Sequence, residues 1–158
     1  MSQTIWPNNS NQAMLFESPH VRNLPAFLTP LLDKVLPAAL EDLPAHVYDI
    51  IFKSELPRQG ISRHVDLATR FEDGIVGISL CGSTVMEFER QSTVHALLLR
   101  PGDVLVLSGE ARWQWKHGIA YRHEDTISED GDTYTLCRRT RMSITLRRLQ
   151  TGADLVGN

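Results

Sequence analysis

Residues 75–89, IVGISLCGSTVMEFE, decide the fold. Two short runs of strand-forming residues, 75-IVGISL-80 and 84-TVMEFE-89, flank the turn-like Cys81-Gly82-Ser83. The stretch therefore reads as strand, turn, strand. The pattern continues outward through 94-VHALLL-99, the turn Pro101-Gly102-Asp103, 104-VLVL-107 and the turn-like Ser108-Gly109, and returns at 141-RMSITLR-147. Upstream, 13-AMLF-16 and 47-VYDIIF-52 also suit strands. Only 29-TPLLDKVLPAALEDLP-44 reads as helix, with Thr29 as cap, Pro30 in the first turn and Pro37 as a kink. Many short strands without interleaved helices argue against a doubly wound nucleotide fold. They predict a mainly β protein, a sandwich or jelly roll with a flanking helix.

The chain has 158 residues, 42% of them hydrophobic and 22% charged, with a formal charge of -3. That length predicts a single globular domain over residues 1–158. The charge supplies no global basic field to steer the protein toward phosphate backbones. No run approaches membrane-spanning length. The opening MSQTIWPNNSNQ lacks the pattern of a secretory signal, so cytoplasm or nucleus is expected. A monomer is also expected. Cys81 and Cys137 form no CxxC unit and are read as free thiols.

Chemistry is concentrated in three places. In 62-SRHVDLATRFEDG-74, His64 and Asp66 stand two residues apart. In an extended chain both point the same way and can reach one ion, with Val65 turned back toward the core. Two histidines and one carboxylate hold non-haem iron in oxygenases and leave positions open for cosubstrate and dioxygen. An HxD pair alone is also common in surface loops. Among the remaining histidines, His20 and His46 come too early, His95 reads as a partly buried structural residue and His123 as solvent-facing. His117, in 109-GEARWQWKHGI-119, remains as the third ligand, after an apparent aromatic strand and before a glycine that frees the backbone. The strand at 141–147 puts Arg141, Ser143, Thr145 and Arg147 on one face. Two guanidiniums beside two hydroxyls suit an anionic pocket, such as one for the dicarboxylate 2-oxoglutarate. On composition alone the same face also reads as a solvated basic edge.

Taken in order, 60-GISRHVD-66, 72-EDGIVGISL-80, 101-PGDVLVLSGEARWQWKHGI-119 and 141-RMSITLR-147 resemble the AlkB family of iron(II)- and 2-oxoglutarate-dependent dioxygenases. The resemblance covers residues 47–148. It is nearest to small fungal relatives and to the oxygenase domain joined to a transfer-RNA wobble-uridine methyltransferase. It implies a double-stranded β-helix, with His64, Asp66 and His117 as iron ligands. It further implies Arg141 at the distal carboxylate of 2-oxoglutarate, Arg147 near the keto-acid end and Asp66, and Ser143 beside them. Arg112 is expected to bind substrate or buttress the pocket.

One departure stands out. Where many relatives carry an N-x-Y pair that touches the cosubstrate, this chain has Lys53 and Glu55. A carboxylate there is awkward beside a dicarboxylate unless Lys53 or an arginine neutralises it. The implied activity is oxidative dealkylation or hydroxylation of a modified DNA or RNA. Protein or small-molecule hydroxylation, and a noncatalytic binding role, stay open. Trp113, Trp115 and Tyr121 are candidate platforms for a base or ordinary core aromatics. The charged segments 121-YRHED-125 and 128-SEDGD-132 read as loop.

Overall fold

A computed structural model describes residues 11–16, 30, 31, 34 and 48–153, with the backbone alone described for 11–16 and 48–55. Most of the segment read as helix, 29–44, lies outside the described residues. Pro30, Leu31 and Lys34 are helical.

Two sheets carry the fold among the described residues. The larger runs β1 (Asn11–Phe16), β2 (Tyr48–Glu55), β11 (Arg141–Arg148), β4 (Ile75–Cys81) and β7 (Val104–Leu107). The smaller runs β3 (Ile61–His64), β8 (Lys116–Ile119), β5 (Thr84–Arg90) and β6 (Thr93–Leu99). Every pairing is antiparallel. Successive strands cross between sheets: β3 and β4 belong to different sheets, as do β4 and β5, and β6 and β7. This connectivity is that of a double-stranded β-helix, so the predicted jelly roll is the fold found.

The strand–turn–strand unit at 75–89 spans that divide. Cys81 ends a strand of the larger sheet, Gly82 takes a φ of 71°, and Thr84 starts a strand of the smaller one. A side chain at Gly82 would lie 2.4 Å from the Thr140 carbonyl oxygen, so only glycine fits this corner. β11 is central in its sheet, which excludes the reading of a basic edge. Its alternate residues Ile144 and Leu146 are 1% exposed, and the other face carries the arginines.

Three local expectations are corrected. The apparent aromatic strand is a short helix, α1 (Gly109–Trp113), followed by β8. Glycine at 118 is needed for close packing: a Cβ there would meet the Ile61 carbonyl oxygen at 2.6 Å and Arg63 Cα at 2.9 Å. The charged stretch read as loop is a hairpin, β9 (Glu124–Glu129) and β10 (Asp132–Cys137). Its turn sets Asp130 and Gly131 at φ of 52° and 90°, the geometry that an Asp-Gly pair favours. Cys81 and Cys137 are free, as read.

Asp125 of β9 ties this hairpin to the smaller sheet. It is fully buried and accepts from Arg138 Nε at 2.6 Å and Nη2 at 2.7 Å, from Arg122 Nε at 2.7 Å and from the Val85 backbone N–H at 3.2 Å. Burial pushes the Asp125 carboxyl up, but these donors together hold it below its ordinary range. Asp125→Ala strands the buried Arg138 guanidinium. It is expected to destabilise the fold by about 3–5 kcal/mol in chemical denaturation.

Candidate metal and cosubstrate site

The metal-ligand candidates come from β3, the loop that follows it and β8, which the fold draws together. His64 closes β3, Asp66 follows it by two residues, and His117 of β8 pairs directly with His64 in register. One ligating atom from each lies within 4.8 Å of the other two. The fold thus joins the adjacent pair to a histidine more than fifty positions away.

Each group is poised to donate a lone pair. His64 Nδ1 lies 2.8 Å from the Ser62 carbonyl oxygen. As donor to that oxygen, Nδ1 carries the proton and Nε2 keeps its lone pair. His117 is 9% exposed. Burial first, then the field of His64, lowers its pKa to about 4 despite the opposing Asp66. Its Nε2 approaches Asp66 Oδ2 at 3.4 Å, but a neutral imidazole makes that a close contact and not an ion pair. Asp66 Oδ1 accepts from Arg147 Nη1 at 2.8 Å. Arg147 also lies over the Phe71 ring at 4.1 Å, which fixes its head. Two imidazoles and an oriented carboxylate, each offering one ligating atom, fit a divalent iron.

Arg112, left between two roles by the sequence, is a buttress. It is 2% exposed and donates to four backbone carbonyls, those of Asp66 (2.9 Å), Leu67 (3.3 Å), Phe71 (3.0 Å) and Glu72 (3.2 Å). Burial lowers its pKa, partly offset by Asp66 and Asp73. Trp113 packs against the same guanidinium at 4.1 Å. The residue therefore fixes the path of the loop that presents Asp66.

A cavity of about 260 Å3 opens from the three ligands toward β11. That is slightly below the ~300 Å3 at which pockets for drug-sized ligands begin, a scale suited to a small acid. Ile75, Leu99, Leu105 and Leu107 supply apolar wall. Arg141, Ser143, Thr145 and Arg147 all line it, as the alternation in 141–147 predicts. Arg141 is 7% exposed and donates to Ser143 Oγ at 3.0 Å. A buried guanidinium in an apolar cavity favours an anionic partner. Lys53 and Glu55 fall in β2, where the backbone register pairs them with Ser143 and Arg141 respectively.

The aromatic candidates are split. Trp113 and Tyr121 are exposed at 39% and 66%, and the Tyr121 hydroxyl is 3.4 Å from Ser62 Oγ. Trp115 is half-buried, with its ring 5.3 Å from that of His95. His95 itself is exposed, not the partly buried structural residue expected from its apolar run. Phe88 and Met86, which the sequence gave no reason to single out, approach the site from β5: Met86 lines the cavity and the Phe88 ring lies 6.3 Å from His117. The alternation of β5, with Met86 and Phe88 facing in and Glu87 and Glu89 pairing with Arg63, is the signal that could have found them.

Comparison with known proteins agrees with this geometry. The family model of the 2OG-Fe(II) oxygenase superfamily matches residues 10–147. The "tRNA (carboxymethyluridine(34)-5-O)-methyltransferase alkbh8" of Xenopus tropicalis is 33% identical over 152 residues, covering 85% of this chain and 23% of that protein. The "Alkylated DNA repair protein ALKBH8 homolog" of Arabidopsis thaliana is 31% identical over 151 residues, covering 80% of this chain and 42% of that one. The chain thus spans less than half the length of either relative. Among solved structures, OsALKBH1 superposes with a TM-score of 0.53 at 15% identity, over 94% of this chain and 84% of that one, a likeness of fold. With the family match running from β1 into β11 and the His-Asp-His group in its pocket, the chain belongs to the 2OG-Fe(II) oxygenase superfamily as an AlkB-like member, whose cofactors are iron(II) and 2-oxoglutarate.

Proposed function

We propose that the chain uses iron(II) and 2-oxoglutarate to dealkylate or hydroxylate a modified nucleic acid. The observation that carries the chemistry is the confluence of three ligand atoms within 4.8 Å and a buried Arg141–Ser143 pair in one cavity. His64, Asp66 and His117 hold the metal. Arg141 and Ser143 bind the far carboxylate of 2-oxoglutarate through charge-assisted hydrogen bonding. Arg147 orients Asp66 by binding its Oδ1, which leaves Oδ2 turned toward His117. The apolar wall of Ile75, Leu99, Leu105 and Leu107 limits water in the cavity. With dioxygen as oxidant, bound iron and 2-oxoglutarate would supply the oxidation of a substrate C–H bond: one oxygen atom enters the substrate as hydroxyl and the other enters the keto acid, which ends as succinate and carbon dioxide. When that carbon is an N-methyl, the hydroxymethyl product releases formaldehyde.

The nucleic-acid assignment draws support from relatives whose names specify transfer RNA and alkylated DNA. Release of formaldehyde from N-methylated oligonucleotides, with methylated peptides in parallel, tests it. Formaldehyde from the peptides alone would overturn it.

The cosubstrate assignment has its own test. Arg141→Ala is expected to raise the 2-oxoglutarate concentration for half-maximal succinate formation by roughly ten- to hundredfold. An unchanged concentration dependence would remove Arg141 from that role. A second reading, metal binding without turnover, rests on β2, where Glu55 pairs in register with Arg141. Succinate formation by the purified protein would eliminate it.

A further inference from the structure

Arg141 lines two cavities. One is the site described above, where it donates to Ser143 Oγ at 3.0 Å. The other is much smaller, about 10 Å3, and lies among the turn at 56–59, the start of β5 and the segment 138–141. The chain is tightly packed here: a Cβ at Gly82 would come within 2.9 Å of Arg141 Cα. Two residues after that glycine, Thr84 opens β5 and lines the small cavity together with Arg141.

Thr84 is 2% exposed, and its buried hydroxyl has no hydrogen-bond partner among the described residues. Leaving such a group unsatisfied costs about 1–3 kcal/mol. Valine, with almost the same shape, would fill the position without that cost, so packing explains the methyl group and not the hydroxyl. Other polar groups at the cavity are committed elsewhere. Arg138 donates to Asp125 and to the Ala120 carbonyl, and Gln59 Oε1 accepts from the Leu56 backbone N–H. The cavity has the volume of one water molecule, and a buried water needs about two to four polar partners. Thr84 Oγ1 and the Arg141 guanidinium offer two of them. A guanidinium carries five N–H groups in a rigid plane, so Arg141 can serve Ser143, a carboxylate and a water together. The water would accept from Arg141 and donate to Thr84 Oγ1, a bridge nearly as good as a direct hydrogen bond.

We propose that Thr84 is a positioning residue for the cosubstrate: through one buried water it holds the Arg141 guanidinium in the orientation that receives the distal carboxylate of 2-oxoglutarate. This rests on the assignment of Arg141 to that carboxylate. The test is calorimetric titration of the full chain, loaded with manganese(II), with two keto acids. One is 2-oxoglutarate; the other is 2-oxopentanoate, which has a methyl group where 2-oxoglutarate has its distal carboxylate. Wild type is expected to bind 2-oxoglutarate at least about tenfold more tightly than 2-oxopentanoate. Thr84→Val is expected to weaken 2-oxoglutarate by about three- to tenfold and to leave 2-oxopentanoate unchanged. Thr84→Ser, which keeps the hydroxyl, should bind both acids as wild type does. If the valine variant does not fold, Thr84→Cys, with a thiol that hydrogen-bonds only weakly, must show the same selective loss. Undiminished 2-oxoglutarate affinity in the folded variant, or equal loss for both acids, overturns the role of Thr84. Equal affinity of wild type for the two acids would instead remove Arg141 from the distal carboxylate and the proposal with it, a result distinct from either outcome in the variants.

Discussion

His117→Ala is expected to end metal-dependent consumption of 2-oxoglutarate, a loss of at least about a hundredfold, while the far-ultraviolet circular dichroism of a folded β protein persists. His117 supplies one of three ligating atoms within 4.8 Å, and no other histidine among the described residues reaches that group. The same variant has a signature in the metal-free protein. Folded His117 titrates near 4 against an ordinary value of 6.5, so the unfolded chain binds the proton first. Native stability is therefore lost as pH falls below about 6.5, continuing to about 4. His117→Ala lacks that component of acid sensitivity, which denaturation at a series of pH values measures. Asp66→Ala should abolish turnover equally but also lower stability, because Arg147 donates to Asp66 at 2.8 Å from a largely buried position. Equal stability of the two variants would show that the Arg147–Asp66 pair contributes little to the fold.

The second large effect is expected at a residue that touches no metal. Arg112→Met should destabilise the fold by about 3 kcal/mol or more, because four backbone carbonyl groups, those of Asp66 and Phe71 in buried hydrogen bonds, lose a charged donor. It should also weaken metal binding by roughly ten- to hundredfold, as loss of support for a ligand does. Manganese(II) titration at low temperature, where the variant stays folded, separates the two effects. Arg112→Lys restores charge but cannot span four acceptors at once, so partial recovery of stability without recovery of metal affinity is the expected pattern. Full metal affinity in the folded methionine variant would mean that the 66–72 loop holds its course unaided.

These two residues mark how far the sequence could be read. His64, Asp66 and His117 could be picked out as a group because a metal site constrains residue type, and the fold does bring them together; the period of two in 141–147 assigned four cavity residues to one face. Arg112 was visible as a candidate, but its partners are main-chain carbonyls 40 to 46 positions away, and backbone atoms leave no mark on a sequence. The segment 109–117 misled because Trp113 and Trp115 alternate as in a strand. Gly109, at φ 52°, instead opens a one-turn helix whose first turn carries Glu110. At 124–137 the charge density hid a hairpin that the Asp130-Gly131 pair announces. Asp125 sits in the interior because Arg122 and Arg138 accompany it. His95 was read as partly buried from its apolar neighbours, but β6 is an edge strand whose residues 93–97 are exposed.

The central claim is that one cavity holds both iron(II) and 2-oxoglutarate. Anaerobic titration of the iron-loaded protein with 2-oxoglutarate tests it most directly, through the weak visible absorption that arises when the keto acid chelates the metal. A saturable band is predicted in wild type, displaced to higher 2-oxoglutarate in Arg141→Ala and absent in His117→Ala. Folded, iron-loaded wild type that gives no band at any concentration of 2-oxoglutarate would contradict the account.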